Sequence, residues 1–444
     1  MTNQVGTGRD CREATTGEPT QGMRSSVWTE RMVEALKTRE TWYSLIDKVH
    51  ASATLECAWQ RVRANDGAAG VDKVSVERFG RNETQRLGRL GEQLRSGRYR
   101  AQPVRRVEIS KLDGGRRALG IPTVADRVVQ AALVEVIEPI FESRFEPRSY
   151  GFRPGRGCKD ALRDVDAALR AGQLHVVDAD LKGYFDSIPH ERLLEQVFAR
   201  IKDGAVLRLI EGFLRQGILS EAGMWTPETG TPQGAVLSPL LANLYLHPLD
   251  VEMRQRGFHM VRYADDFVVL CPSAAQAEEA LALLIRAWVE QAGLCLHPDK
   301  TQVADLTRAG GCFDFLGYRF YGREGGGIGR SIKPKKRQAL YARLAQLTPR
   351  NSGLSTAVLI RRVNVWLRGV FAYFKHADRR TLATIDAHIR YRLRRIFAKR
   401  RGIGGCAKRR KAHQLWRNSH FAALGLFSMA TARDAILRSR SGHA

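Results

Sequence analysis

Two adjacent carboxylates, Asp265 and Asp266, interrupt an otherwise apolar stretch, with His259-Met260-Val261-Arg262 before Tyr263-Ala264 and Phe267-Val268-Val269-Leu270 after. Apolar, β-branched runs around so short a break read as a β-hairpin with the acids at its tip. Neighbouring carboxylates repel, so folding alone gains nothing from this placement. A divalent cation would remove the repulsion. A third acid, Asp180, ends a similar run, Leu174-His175-Val176-Val177-Asp178-Ala179-Asp180. Two acidic strand ends side by side form an oxygen cage suited to Mg2+. Two such ions, roughly 3.5–4 Å apart, support in-line displacement at phosphorus, the chemistry of nucleic-acid polymerisation.

The chain's 444 residues, 43% of them hydrophobic, allow about two or three domains and a sizeable core. Since no run of about 18 apolar residues occurs, no transmembrane helix or membrane partner is expected. Residues 1–40 begin polar and Gly/Thr-rich and lack an apolar signal core, so they read as a disordered or loosely ordered leader and the protein as cytoplasmic. The seven cysteines are scattered, odd in number and without a Cys-x-x-Cys pair. Neither a zinc ribbon nor a disulfide framework is supported.

The net charge of +26 is concentrated. Ser331 to Ala444 holds 27 Lys/Arg against 3 Asp/Glu, while the preceding residues hold 45 against 43. A segment so basic must bind a polyanion or be flooded with counterions. Because apolar residues recur in it at helical spacing, it reads as a folded RNA- or DNA-binding domain. One helix places Leu359, Val363, Trp366, Val370 and Tyr373 on one face; a second places Leu382, Ile385, Ile389, Leu393 and Ile396 on one face.

Upstream, Trp42 to Asn65, Lys159 to Ala171, Glu191 to Gln216, Pro239 to Arg256 and Ala274 to Ala292 read as helices. Val104 to Ile109 reads as a strand leading into the turn Lys111-Leu112-Asp113-Gly114-Gly115-Arg116-Arg117. Thr123-Val124-Ala125-Asp126 has the form of a helix cap. Arg148 to Lys159 is a Gly/Pro/Arg-rich loop, and the Gly-rich stretch from Gly322 to Gly329 reads as a mobile linker.

Three blocks occur in a telling order: Asp180-Leu181-Lys182-Gly183-Tyr184-Phe185-Asp186, then Thr231-Pro232-Gln233-Gly234 with Ser238-Pro239-Leu240, then Tyr263-Ala264-Asp265-Asp266. With the basic helical segment behind them, they resemble the group II intron-encoded reverse transcriptases that carry a maturase domain. The resemblance runs from about residue 40 to about residue 420. It implies an α+β right-hand polymerase whose fingers and palm (41–321, with an antiparallel sheet) are followed by the linker (322–330), an α-helical thumb/maturase domain (331–400) and a basic nucleic-acid-binding tail (401–444). With no Cys-x-x-Cys and little chain beyond Trp416, the C-terminal endonuclease of many relatives is expected to be absent.

The resemblance also implies site roles. Asp180, Asp265 and Asp266 would be the catalytic metal ligands for two Mg2+ ions. Phe185 resembles the aromatic that crowds the sugar 2′-hydroxyl, the group distinguishing RNA from DNA units; a core aromatic is the alternative. Lys111 and Arg117 would meet the triphosphate, Gln233 the sugar side of the nucleotide, and Lys300 either the leaving pyrophosphate or solvent. Arg153 and Tyr263 would lie against primer or template, and Phe315, Leu316 and Gly317 resemble a primer grip. Asn364-Val365-Trp366-Leu367-Arg368-Gly369 resembles the maturase signature. Arg368, Arg390, Arg394, Arg395, Lys399 and Arg400 would contact RNA.

The expected activity is RNA-directed DNA synthesis on an RNA template and DNA primer from dNTPs, with binding of the parent intron RNA to assist splicing and target-primed reverse transcription at a DNA target site. Alternatives are a reverse transcriptase of another system (retron, diversity-generating or CRISPR-associated), a splicing-only RNA-binding maturase, and an RNA-dependent RNA polymerase, against which Phe185 argues.

Overall fold

The computed structural model describes residue 28 and residues 30–110, 116–221, 223–403 and 408–441. The chain divides into two compact units: Met1–Gln173 with Val177–Val303, and Leu174–Val176 with Ala304–Ala444.

The first unit is built around the helix Val124–Glu142. Val128, Val129, Leu133, Val136 and Ile137 leave no apolar face of it exposed, the signature of a core helix. Thr123 caps its N-terminus by accepting from the N–H of Asp126. The expected helix from Trp42 is broken into Ile46–Val49 and Ser52–Asn65. That from Glu191 is broken into His190–Phe198 and Gly204–Leu214. Asp203 causes the second break. One of its oxygens accepts from Ala205 (2.9 Å) and Val206 (3.2 Å), and the other accepts from Leu45 (2.7 Å) and Ile46 (2.9 Å), so one carboxylate caps two helices. Cys158–Arg170 and Ser238–Gln255 follow the expected helices closely.

Two sheets flank this core. One runs Arg116–Ile121, Val104–Ser110, Ile218–Ser220, Gly223–Trp225, its first pair the expected antiparallel hairpin. The other has the order His259–Tyr263, Asp266–Cys271, His175–Asp180, Gln302–Asp305. Mixed helices and antiparallel sheet agree with the expected α+β polymerase class.

Two boundary expectations need correction. Glu30–Thr38 is helical, so the leader does not stay loose up to residue 40. Trp28 meets the ring of Trp42 edge to face at 5.4 Å, which gives this segment something to pack on. The glycine stretch is no linker: it is the loop of a hairpin between Tyr318–Gly322 and Ile328–Ile332. Gly325, Gly326 and Gly327 all take positive φ there, a conformation that costs glycine nothing. The division between units falls at residue 303, and the three strands Cys312–Phe315, Tyr318–Gly322 and Ile328–Ile332 belong with the helices that follow.

In this second unit the helices Thr356–Phe374 and Arg379–Arg400 bury the expected faces, with Leu359, Val363, Leu382, Ile385 and Leu393 fully enclosed. Three further helices, Lys408–Leu415, Asn418–Ala423 and Met429–Ser441, occupy the stretch read as a basic tail. Asp386 anchors the last of them, accepting from the N–H of Met429 (3.1 Å) and Ala430 (3.1 Å).

Candidate active site

The hairpin forms as its pattern predicts. His259–Tyr263 pairs with Asp266–Cys271 up to Tyr263 opposite Asp266, leaving Ala264 and Asp265 as a two-residue loop. Such loops need positive φ, normally supplied by Gly or Asn. Here Ala264 supplies it, at φ 61°. Arg262 stabilises this arrangement from behind. Its side chain is 1% exposed, and it donates to the carbonyl of Ala264 (2.9 Å), to Asn243 Oδ1 (3.0 Å) and to the Asp250 carboxylate. Burial alone would depress its basicity, but Asp250 outweighs that and raises it. The amide of Asn243 in turn donates to the carbonyl of Gly151 (2.7 Å), and a Cβ on Gly151 would fall 2.2 Å from Ala264 N. The Arg148 to Lys159 loop therefore lies directly against the acid turn. Sequence reasoning missed Asn243, Asp250 and the inward turn of Arg262; a lone Arg in an apolar strand was the available signal.

Asp180 ends the strand His175–Asp180, which neighbours Asp266–Cys271 in the sheet. The buried Tyr184 hydroxyl, four residues on, titrates well above a free phenol because of burial. The Arg262 charge opposes that rise and the Asp265 charge adds to it. Lys300 joins this site: its ammonium lies 2.6 Å from Asp180 Oδ2, with both side chains partly exposed. Among the described residues no three His, Cys, Asp or Glu side chains converge closely enough to hold a metal ion; Asp180 is neutralised by Lys300 instead. The donor set still fits a hard divalent cation in kind, since it offers incompletely buried carboxylates carried by neighbouring strands and their turn.

Phe185 is half-buried and meets Phe152 edge to face at 6.4 Å and Tyr184 at 5.6 Å. Its carbonyl accepts from the N–H of Thr231 (2.6 Å). Gln233 donates to Asp186 Oδ2 (3.1 Å), and its carbonyl accepts from Gly120 (2.8 Å) on the strand that carries Arg117. The second block thus meets the first around residues 185–186, and the strand of the third neighbours the strand that ends at Asp180. Burial first, and then a side-chain hydrogen bond with Cys158, raise the pKa of the Tyr263 hydroxyl above the ordinary phenol range. Lys111 lies outside the described residues; Arg117 sits opposite Ile109 in the hairpin.

Several expected nucleic-acid contacts turn out to be internal. The Arg153 side chain is 2% exposed, forks onto Glu142 (2.7–3.1 Å) and donates to the carbonyls of Glu146 and Ser149 (2.6 Å each). No donor remains for template. Phe315 is buried, pairing with Tyr318 around the turn Leu316-Gly317, which leaves only the turn accessible for a grip. Tyr373 donates to the Leu316 carbonyl (2.8 Å). Arg394 is buried, donating to the Trp416 carbonyl (2.9 Å) and to Asn418 (3.0 Å), so it braces helices instead of meeting RNA. Arg400 reaches Thr356 (3.2 Å) and the Ser352 carbonyl (3.3 Å), and Lys399 reaches Asn351. Arg368 and Arg395 are exposed, over Phe427 and Tyr391 respectively, and Arg390 is half-buried beside a cavity of about 430 Å3. Asn364, from the maturase-like stretch, is a tie: it donates to the Gly425 carbonyl (2.7 Å) and accepts from Phe427 N–H (2.8 Å).

A sheet with acids on neighbouring strands, a glutamine-bearing turn bonded to the block after Asp180 and a basic helical unit define a palm-type, template-directed polymerase class. The comparisons with known proteins sharpen this. The reverse transcriptase (RNA-dependent DNA polymerase) family matches residues 109–320, and the group II intron maturase-specific domain matches residues 337–416. The group II intron-encoded protein LtrA of Lactococcus lactis subsp. cremoris is 39% identical over 194 residues, 44% of this chain and 32% of LtrA. Protein YkfC of Escherichia coli (strain K12) is 32% identical over 288 residues, 56% of this chain and 75% of YkfC. A chain of a partial Cas6-RT-Cas1–Cas2 complex aligns at 26% identity over 56% of this chain and 41% of its own, with a TM-score of 0.37. The chain belongs to the group II intron reverse transcriptase/maturase family. The aligned region spans about a third of LtrA's length. Reverse transcriptases of this kind use divalent metal ions and act on nucleic acid. No helix among the described residues is long and apolar enough to cross a membrane.

Proposed function

We propose that this protein is an RNA-directed DNA polymerase of a group II intron, extending a DNA primer on an RNA template from dNTPs. The observation that carries the reading is the sheet adjacency of Asp180's strand and the Asp265-Asp266 hairpin, with Lys300, Phe185 and Gln233 gathered beside Asp180 or the turn that follows it. Asp180 and Asp265 would hold two Mg2+ ions, with Asp266 in support; when bound, the ions supply the lowered pKa of the primer 3′-hydroxyl and the charge neutralisation of the triphosphate. Lys300, released from Asp180, lies within reach of the leaving pyrophosphate. Lys111 and Arg117 bind the triphosphate, Gln233 meets the nucleotide on the sugar side, and Phe185 crowds a 2′-hydroxyl. Tyr263 and the Leu316-Gly317 turn hold the primer.

The second unit binds the parent intron RNA and steadies its folded core, through exposed cations such as Arg368, Arg390 and Arg395. The same ribonucleoprotein then supports mobility by target-primed reverse transcription at a DNA target. The excess of 27 Lys/Arg over 3 Asp/Glu after residue 330 supports this reading. Primer extension on an RNA template tests the polymerase; splicing of the parent intron, with and without the protein at low Mg2+, tests the second role. Splicing that is indifferent to the protein would remove the maturase reading and leave the polymerase.

A further inference from the structure

We infer that Phe152 is a positioning residue for nucleotide selection: it backs Phe185 and fixes the wall against which the incoming sugar is measured. The inference rests on the reading of Phe185 as the sugar-facing aromatic.

The residues around Phe152 are locked. Tyr150 N–H donates to the Arg262 carbonyl (2.8 Å), and Arg262 N–H donates to the Arg148 carbonyl (3.0 Å), so the loop is laced to the acid hairpin. Gly151 abuts Ala264 so closely that no side chain fits between them, and its carbonyl is held by Asn243. On the other side Arg153 is pinned to Glu142 and to the carbonyls of Glu146 and Ser149. Between these anchors Phe152 takes φ 56°, where a bulky side chain is a genuine outlier. The residue nevertheless stays 50% exposed. A strained backbone that gains so little burial persists only because its surroundings impose it, and such positions cluster at functional sites.

What the ring does touch is Phe185, edge to face at 83° and 6.4 Å. Tyr184 meets Phe185 as well, at 67° and 5.6 Å. Phe185 is otherwise only half-buried. A steric gate discriminates only if its wall cannot swing aside, and Phe152 closes one direction of escape. The same loop that touches the Ala264 turn therefore sets the position of the aromatic that reads the sugar.

The test is single-nucleotide incorporation on an RNA template by the full chain, with kcat/KM measured for matched dNTP and rNTP. Phe152→Asn removes the ring but keeps a residue that tolerates this backbone conformation; Phe152→Tyr keeps the ring. The dNTP:rNTP preference should fall by about tenfold in Phe152→Asn, the scale on which a shape-selective wall discriminates, mainly through a lower KM for rNTP. It should hold in Phe152→Tyr. Phe185→Ala should relax it further, and Phe152→Asn added to Phe185→Ala should bring no additional loss, since the two act through one wall. If Phe185→Ala leaves the preference intact, the gate reading itself fails. If Phe185→Ala relaxes it but Phe152→Asn does not, the role of Phe152 is overturned. Should Phe152→Asn not fold, Phe152→Leu gives the same comparison with an apolar side chain that lacks the ring edge.

Discussion

The guanidinium of Arg262 and the carboxylate of Asp250 form an ion pair, 1% and 4% exposed, directly behind the turn that carries Asp265. A buried pair adds little over well-packed apolar residues, but removing one partner strands a charge in the interior and costs about 3–5 kcal/mol. Asp250→Leu should therefore lower the unfolding midpoint sharply. Arg262→Met combined with Asp250→Leu should recover most of that loss without restoring polymerase activity, because the Ala264 carbonyl has lost its donor. Thermal unfolding followed by circular dichroism checks the first part and primer extension the second. Full activity in the double variant would show that Arg262 merely fills space.

Arg390 and Arg394 lie four residues apart on one helix, yet they should behave differently. Arg394→Ala removes the donor to Trp416 and Asn418 and should destabilise the helical unit. Arg395→Ala and Arg390→Ala should leave the melting temperature nearly unchanged, and each should reduce the slope of log affinity against log salt for RNA by about 1. Filter binding across a salt series separates the two classes. An unchanged slope for Arg390→Ala and Arg395→Ala would remove both from the RNA-binding face.

Glu138 gives the first unit a pH dependence. Burial, aided by Glu142 and Glu135 on the same helix and opposed by Arg61, pushes its carboxyl up from 4.5 to about 7. The folded chain then holds a proton that the unfolded chain releases near 4.5. Its stabilisation is complete below that value and is lost as pH rises toward 7. Glu138→Gln mimics the protonated form. Its melting temperature relative to wild type should rise between about pH 4.5 and pH 7 and level off above that, and parallel pH profiles would contradict the assignment.

The acid hairpin was legible because its signal is local: short apolar runs on both sides of so brief a break leave few other solutions. The buried faces of Thr356–Phe374 and Arg379–Arg400 were legible for the same reason, since helical periodicity repeats within a few residues. Ambiguity arose where one composition serves two structures. A run of glycines makes a flexible linker or a tight hairpin loop, and the pairing of Tyr318–Gly322 with Ile328–Ile332 decides between them. Arginine gave the other misreadings. Nothing near Arg153 or Arg394 in the sequence says that Glu142 or Trp416 will consume its donors, because those partners are set by tertiary packing. Asp203, Asn243 and Asp386 were invisible for that reason too: each bridges segments distant in the chain, at separations of 158, 92 and 43 residues.

The most direct test of the central claim is primer extension on an RNA template with dNTPs and Mg2+, comparing wild type with Asp265→Asn at matched folding and RNA binding. If Asp265 holds a catalytic ion at the tip of the hairpin, extension should fall by at least about a hundredfold, the scale of losing one preorganised electrostatic contact to the transition state. Equal product from the two proteins would contradict the metal assignment and, with it, the polymerase mechanism.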